Sequence, residues 1–275
     1  MTRYFVSFNP EIGMEENIPL FAGLGDPAVR RLIANAAGIV LPGYVSPWRY
    51  HGITRYAKDW FPKLDARFTY PGKSSQILLF RKLGARHPDT LLFKNPSHML
   101  SHFRLWGSPW GYPLVLKGDT GGGGSGVFPI HRVSDVEEQI RKLPHAEPVL
   151  LQRWVDHGGR DLRVVVYGNR TVSYFRIGDG SFYNNVCRGG RLDYESSPEQ
   201  REKGSLAVLE LCRKAGIDIA GFDLMFPDNG DPVFVEINFH FGRKGLGGTR
   251  GHREHVLRAV NDWRARRLRA LQLSA

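Results

Sequence analysis

Asp223, Glu236 and Asn238 lie on two short runs, residues 220–226 and 232–238, separated by Asn229-Gly230. Asn-Gly between apolar runs is a hairpin signal, because both residues tolerate the positive φ of a type I′ turn. Pairing outward from that turn sets Phe226 opposite Val233, Leu224 opposite Val235, Phe222 opposite Ile237, and Asp223 opposite Glu236. Side chains alternate along a strand, so the three apolar pairs share one face and Asp223, Glu236 and Asn238 the other. Two carboxylates and an amide oxygen within about 5–7 Å of each other form a hard-oxygen set. Such a set suits Mg²⁺ or Mn²⁺, with substrate phosphates completing the coordination. An amphipathic hairpin with a solvated acidic face has the same pattern, and the hairpin alone does not separate the two.

Lys117 ends an apolar run and is followed by a glycine-rich loop containing Gly122, Gly123, Gly124 and Ser125. Successive peptide N–H groups without side chains in the way can wrap phosphate oxygens, and Lys117 adds a cation. No Gly-Lys-Ser/Thr closes the loop, so it is not a Walker P-loop. A flexible Gly/Ser linker has the same composition. The stretch is short and lies between two strand-like runs, however, where a loop closing over a nucleotide accounts for it better. Further on, Gly168-Asn169 turns a second hairpin, and symmetric pairing places Asp161 opposite Arg176. Taken alone, that pair reads as a structural ion pair.

These groups need elements to hold them. The chain has 275 residues, 41% hydrophobic and 24% charged, the composition of a soluble globular protein with a large core. Its apolar runs are too short to cross a membrane, its first residues lack a signal-peptide stretch, and Cys187 and Cys212 have no metal-ligand spacing. The expected location is cytoplasmic. A net charge of +11 favours anionic partners. The basic run Arg264–Arg269 reads as a helix with a solvated face; nucleic-acid binding is the sharper alternative, but no nucleic-acid motif accompanies it.

A short N-terminal strand is followed by a helix with Asp26 as N-cap, Pro27 at N1 and Gly38 as C-cap, then a strand at 39–42. Residues 43–72, rich in Tyr, Trp, Pro and Arg, read as an irregular aromatic core or, alternatively, the wall of a substrate cleft. A helix over 73–83, with Ile77, Leu78, Phe80 and Leu83 on its apolar side, ends at Gly84. Strands follow at 91–93 and 112–117. Ser134 and Glu137 form a capping box for the next helix. Strands at 149–155, 161–167 and 172–176 precede a helix opened by Ser197, Pro198 and Gln200 and stopped by Gly216. Beyond Asn238, residues 239–248 form a basic, glycine-rich loop leading to the terminal helix.

In order, these pieces resemble the ATP-grasp superfamily, within it the ribosomal-protein glutamate ligase (RimK-like) and glutathione-synthetase-like branch. The resemblance runs from Lys73 to the terminal helix. It rests on Lys73 with residues 88–90; Lys117 with its glycine loop; Gln152-Arg153-Trp154-Val155 with Asp161 to Arg163; Arg176 with residues 185–190; and Asp223 with Glu236 and Asn238. It implies an α/β (α+β) ATP-grasp fold whose two lobes sandwich ATP. Residues 73–275 would form the ATP-grasp domain, with a small lobe at about 90–155, and residues 1–72 a shortened N-terminal α/β segment. By the same resemblance Lys73, Lys117, Gly122, Gly123, Gly124 and Ser125 contact ATP, Gln152 to Val155 form the adenine hinge, and Asp161 lies at the nucleotide. Arg176 and Asn185 face the reacting phosphates. Asp223, Glu236 and Asn238 ligate Mg²⁺ or Mn²⁺.

The implied activity is ligation of a carboxylate to an amine or thiol through an acylphosphate, releasing ADP and phosphate. Phosphoryl transfer to another acceptor, as in a small-molecule kinase, and non-catalytic binding of nucleotide or nucleic acid are the alternatives. Three departures stand out. Arg153 replaces the usual hinge Glu, residues 239–244 replace the family's Ser-Pro-Gly segment, and the part before Lys73 is short. Glutamate specificity is therefore not carried over. Arg188, Arg243 and Lys244 are candidate contacts to an anionic substrate, with Arg243, Lys244 and Arg250 read equally well as solvated surface. A homo-oligomer is compatible with the chain.

Overall fold

The computed structural model describes residues 3–178, 180, 190–227 and 230–273. Strands β1 (Phe5–Ser7) and β2 (Glu16–Asn17), helix α1 (Pro27–Asn35), β3 (Gly38–Val40), α2 (Pro47–Thr54) and β4 (Trp60–Phe61) build a parallel sheet in the order β2-β1-β3-β4. Asp26 caps α1 as expected, its carboxylate accepting from Ala28 N at 2.8 Å. The helix closes at Ala36, however, and Gly38 opens β3 instead of capping α1. Residues 43–72 are not irregular, because α2, β4 and α3 (Asp65–Thr69) order them. Their aromatics do fill a core. The buried Tyr50 hydroxyl accepts from Trp60 Nε1 at 2.7 Å and donates to Asp65 at 2.6 Å, satisfying polar atoms that burial would otherwise penalise.

Helix α4 (Lys73–Leu83) ends at Gly84 in the left-handed region, as expected. Leu78, expected on its apolar side, is 52% exposed, and Leu79 is buried instead. Next come β5 (Thr90–Phe93), α5 (Pro96–Trp106), β6 (Leu114–Gly118), β7 (Val127–Ile130), α6 (Val133–Ile140) and β8 (Val149–Arg153), with an antiparallel sheet ordered β5-β8-β6-β7. Helix α5 had no counterpart in the sequence reading, although Asn95, which accepts from His98 N at 2.9 Å, and Pro96 mark its start. Ser134 does not cap α6. Asp135 does, accepting from the amides of His131 and Arg132 at 2.9 and 3.2 Å.

The largest sheet is antiparallel and ordered β11-β10-β9-β12-β13, from β9 (Arg160–Tyr167), β10 (Arg170–Ile177), β11 (Arg191–Asp193), β12 (Ile219–Met225) and β13 (Val233–Asn238). Helix α7 (Pro198–Ala215) follows β11, and α8 (Gly248–Leu273) follows β13. Ser197 stands at the start of α7 without capping it; its hydroxyl accepts from Arg160 at 3.1 Å. One face of the sheet carries Leu162, Val164, Phe222, Leu224, Phe234 and Ile237 into a core shared with α4 and α7. The other face is divided. Val165 and Tyr167 pack beneath Ala259, Val260 and Trp263 of α8, while the charged residues at the far ends of the strands, mostly buried as well, line a cavity instead.

The β12–β13 register holds at its critical point, with Phe222 opposite Ile237 and Asp223 opposite Glu236. It does not hold toward the turn. A bulge after Asp223 sets Leu224 opposite Phe234 and Met225 opposite Val233, so the expected Leu224–Val235 and Phe226–Val233 pairs are absent. A bulge re-aims one side chain, and here it turns Val235 out of the apolar face into a cavity. The strands end at Met225 and Val233, and the connection is longer than a two-residue turn; Asn229 lies outside the described residues.

The basic stretch of α8 is not simply a solvated face. Arg264 pairs with Glu15, and Arg267 Nε donates to Ala37 O at 2.9 Å, tying the helix to the N-terminal sheet. Trp263 reinforces the seam by donating to Asp59 at 3.1 Å and packing edge-on to Phe5. A Cβ at Gly38 would stand 2.6 Å from the Trp263 ring and 3.1 Å from Phe5. Gly38→Ala is therefore expected to displace α8 and destabilise the fold by about 1–3 kcal/mol, seen as a lowered urea midpoint. An unchanged midpoint would show that the seam gives way freely. Among the described residues no helix is long and apolar enough to cross a membrane.

Candidate nucleotide and metal site

A cavity of about 140 Å³ opens between the β5-β8-β6-β7 sheet and the charged half of the large sheet. Register explains its polar end. Asp161 pairs with Arg176, Arg163 with Asp223, and Asp223 with Glu236, so alternation places all five on one face of four adjacent strands. Opposite charges face each other in the first two pairs, which favours them, whereas Asp223 and Glu236 are like charges whose repulsion the neighbouring cations offset. Lys73 enters from the first turn of α4 and Lys117 from β6.

The contacts are close. Arg163 Nη2 donates to Asp223 Oδ2 at 3.1 Å, while its Nε lies 2.6 Å from Oδ1 as an ion-pair contact without hydrogen-bond alignment. Arg176 joins both carboxylates: it pairs with Asp161, donating from Nε at 3.0 Å, and its Nη2 lies 3.0 Å from Asp223 Oδ1. The expected Asp161–Arg176 ion pair is thus present, as part of a larger cluster. Asn238 Nδ2 donates to Asp223 Oδ2 at 3.1 Å, and Lys73 Nζ lies 3.3 Å from Glu236 Oε1. Asp161 lines the cavity, and its Oδ1 is buried with no hydrogen-bond partner among the described residues.

Burial sets the titration of these groups. It pushes Lys117 down to about 8, with Glu236 pulling the other way and Lys73 adding to the depression. Burial also raises the Asp161 carboxyl against the pull of Arg176. Asp223 feels the same burial, but Arg163 and then Arg176 outweigh it and hold its carboxyl below the usual range. Arg176 is driven the other way, above its ordinary value: burial opposes the shift, and Asp223 and Asp161 more than overcome it.

The glycine stretch is the β6–β7 connection and not an inter-domain linker. Gly121, Gly123, Gly124 and Gly126 all have positive φ, which explains the residue type. Gly121 O accepts from Lys73 Nζ at 3.0 Å, and Asp119 fastens the loop's start to α4 by accepting from Ser74 N at 2.6 Å. A Cβ on Gly72 would lie 2.1 Å from that Asp119 carboxylate, so the close approach depends on glycine there too. Gly122, Gly123, Gly124 and Ser125 all line the cavity.

Its other end is less polar. Val115, Val127, Val155, Met225 and Val235 flank Gln152, Arg153 and Trp154, and the Trp154 ring stacks on His157 with centroids 6.4 Å apart. Gln152 is buried and donates to Thr90 Oγ1 at 2.9 Å, so its side chain braces β8 against β5. Arg153 pairs at the surface with Asp89, 3.5 Å away.

Lys73, Lys117, residues 122–125 and 152–155, Asp161, Arg176, Asp223, Glu236 and Asn238 therefore share one cavity. Asn185 and Arg188 lie outside the described residues. Arg243 lines a different cavity, Lys244 lines neither, and Arg250 pairs with Glu254 at 3.2 Å. Arg163 and Asp119 had no assigned role. Arg163 carried a signal, since it is two residues from Asp161 and so on the same strand face; Asp119 carried none beyond its place in the loop.

Among the described residues no group of three or more His, Cys, Asp or Glu gathers as a metal cage. Asp223, Glu236 and Asn238 supply two carboxylates and one amide instead. Mg²⁺ needs only one or two carboxylates when phosphate oxygens and water complete its shell, so this donor set fits. The Asn238 side-chain oxygen has no hydrogen-bond donor among the described residues, while the amide nitrogen orients it through Asp223.

No family model matches the chain. Over 140 residues, 49% of this chain, it is 34% identical to beta-citrylglutamate synthase B of Danio rerio and to N-acetylaspartylglutamate synthase A of Homo sapiens. It is 34% identical over 97 residues, 33% of this chain, to tetrahydromethanopterin:alpha-L-glutamate ligase of Methanosarcina acetivorans. The matches span 33%, 34% and 28% of those relatives' own lengths. Among solved structures, D-alanine–D-alanine ligase from Bacillus anthracis aligns with a TM-score of 0.57 at 14% identity, over 94% of this chain and 89% of that one. The ATP-grasp ligase PsnB aligns with a TM-score of 0.53 at 17% identity, over 82% and 79%.

Proposed function

This chain has the ATP-grasp fold, and from that premise we propose that it is a Mg²⁺-dependent ligase. It joins a carboxylate to an amine through an acylphosphate and releases ADP and phosphate. The observation that carries the reading is the polar end of the cavity, where Lys73, Lys117, Arg163 and Arg176 converge with Asp223, Glu236 and Asn238 beside the glycine loop. A triphosphate brings several negative charges, and a site with more cations than carboxylates suits it once a divalent ion is added. The apolar end between Val115, Val127, Met225 and Val235 takes the adenine, with the backbone of 152–155 along its edge.

Asp223, Glu236 and Asn238 would hold the Mg²⁺, which when bound supplies charge neutralisation on the transferring phosphoryl group. Lys117 and Lys73 steer the phosphates from the small-sheet side, and Arg163 and Arg176 meet them from the large sheet. Asp161 Oδ1, without a partner among the described residues, is available to accept from a nucleotide hydroxyl. No side-chain nucleophile is needed, because positioning and electrostatics do most of the work in phosphoryl transfer. The relatives' names, two synthases of glutamate-containing products and a glutamate ligase, support ligation as the outcome.

Hydroxylamine tests the reading. With ATP, Mg²⁺ and a pool of carboxylic acids, a ligase of this kind converts its acid to a hydroxamate and releases ADP. ATP-dependent formation of a stable phosphate ester, with no hydroxamate from any acid, would assign kinase chemistry instead.

A further inference from the structure

A second cavity of about 240 Å³ lies beyond the end of β13, on the side away from the adenine slot. It is built from parts remote in sequence: the loops after β1 and β3, Ile219 of β12, the segment 239–243, and α8. In the N-terminal sheet the chain passes from β1 to β2 on one side and then to β3 on the other, so the loops after β1 and β3 diverge at a topological switch point. Parallel sheets take ligands in the crevice at the carboxyl ends of such strands.

The two cavities abut. Asn238 lines the first and Phe239 the second. Gly221 marks the seam on β12, because a Cβ there would touch Arg163 at 3.0 Å and Phe241 at 3.3 Å. At about 3.3 Å per strand residue, Ile219 lies about 13 Å along β12 from Asp223, a span that a small molecule bridges.

The lining defines the chemistry. Phe61, Phe239, Phe241 and Val256 supply apolar walls. Arg243 has no carboxylate partner among the described residues. A guanidinium left in this way at the rim of an apolar cavity matches a ligand carboxylate, which it can hold through two parallel hydrogen bonds. Glu11, also in the lining, pairs with no cation within the same set and offers an acceptor to an ammonium group.

We propose that this cavity is a substrate site selecting an apolar α-amino acid, with its carboxylate on Arg243, its ammonium group toward Glu11 and its side chain against Phe61, Phe239 and Phe241. The assignment rests on the ligase reading for its role but not for its chemistry. It also accounts for the departure after Asn238: the substituted segment supplies Phe239, Phe241 and Arg243, and an apolar side chain gains more from burial against these rings than a carboxylate, which loses hydration there. Burial and Arg243 hold His252, on the same lining, down to about 4, so the imidazole is uncharged near neutrality and the positive charge there centres on arginine.

Calorimetric titration of the full chain without nucleotide separates this inference from the ligase reading. L-phenylalanine is expected to bind at least tenfold more tightly than L-glutamate or phenethylamine, which lacks the carboxylate. Arg243→Ala is expected to weaken L-phenylalanine at least tenfold while binding an ATP analogue as before, which also reports that the variant is folded. Binding of L-glutamate as tight as that of L-phenylalanine, no L-phenylalanine binding at all, or an Arg243→Ala variant that holds it unchanged would each overturn the proposal. The ligase reading fails separately, through the hydroxylamine assay.

Discussion

Asp223→Ala is expected to abolish ATP turnover and to cost about 3–5 kcal/mol of stability at once. Asp223 takes contacts from Arg163, Arg176 and Asn238 in a buried cluster. Its removal leaves Arg176 with Asp161 alone and Arg163 without an ion-pair partner among the described residues, and an unbalanced buried charge is among the most destabilising changes a core can suffer. The double effect distinguishes a site residue that is also structural from a surface carboxylate, whose loss costs at most about 1 kcal/mol. Asp223→Asn keeps the shape and part of the hydrogen bonding, so it is expected to retain more stability than Ala while still losing turnover. Urea unfolding and ADP release measured on both variants check this. If Asp223→Ala unfolds at the parent midpoint and turns over ATP normally, the cluster is neither the metal site nor a structural keystone.

Lys117 carries the second large effect. With its ammonium group near 8, the charge that attracts phosphate is present below that pH and disappears above it. Affinity for a non-hydrolysable ATP analogue is expected to fall above pH 8 by up to tenfold per unit, since each unit removes nine-tenths of the remaining protonated form. Bound phosphate favours the charged form, so binding at pH 8–9 takes up a proton, visible as a buffer-dependent heat. Stability of the free protein moves the other way. The unfolded Lys titrates near about 10.4, so between pH 8 and that value the unfolded state holds more protons, and this group's contribution to stability rises with pH. Lys117→Met should erase both trends and weaken the analogue at least tenfold at pH 7. A flat affinity profile from pH 7 to 9.5 in the parent protein would rule out the titrating lysine as a phosphate contact.

The basic charge of the chain has a partly structural use. Arg264 and Arg267 bind Glu15, Ala37 and Asp59 across the seam between α8 and the N-terminal sheet, so these arginines are engaged within the fold itself. Arg163 and Arg176 are likewise engaged, by Asp223 and Asp161 inside the cavity.

Short-range features were legible in the sequence, because a turn and a two-residue period settle them without reference to the rest of the chain. Gly168-Asn169 set Asp161 against Arg176, alternation put Asp223, Glu236 and Asn238 on one face, and Lys73 and Gly84 bounded α4. The Gly-rich stretch was legible as a tight loop between strands, because glycine is the residue that readily takes its run of positive φ. Three things were decided by packing between distant segments. The bulge that turns Val235 into the first cavity arises from how β13 meets β12 and the core beneath it. The Arg163–Asp223 contact joins strands separated by the whole of β10, β11 and α7, and no local rule specifies which strand pairs with β9. The second cavity has walls from both ends of the chain, from Asn9 to Val260, and exists only once α8 is laid across the N-terminal sheet. Register and the face a residue occupies, set by neighbours in sequence, were therefore readable, whereas walls contributed by distant segments required the fold.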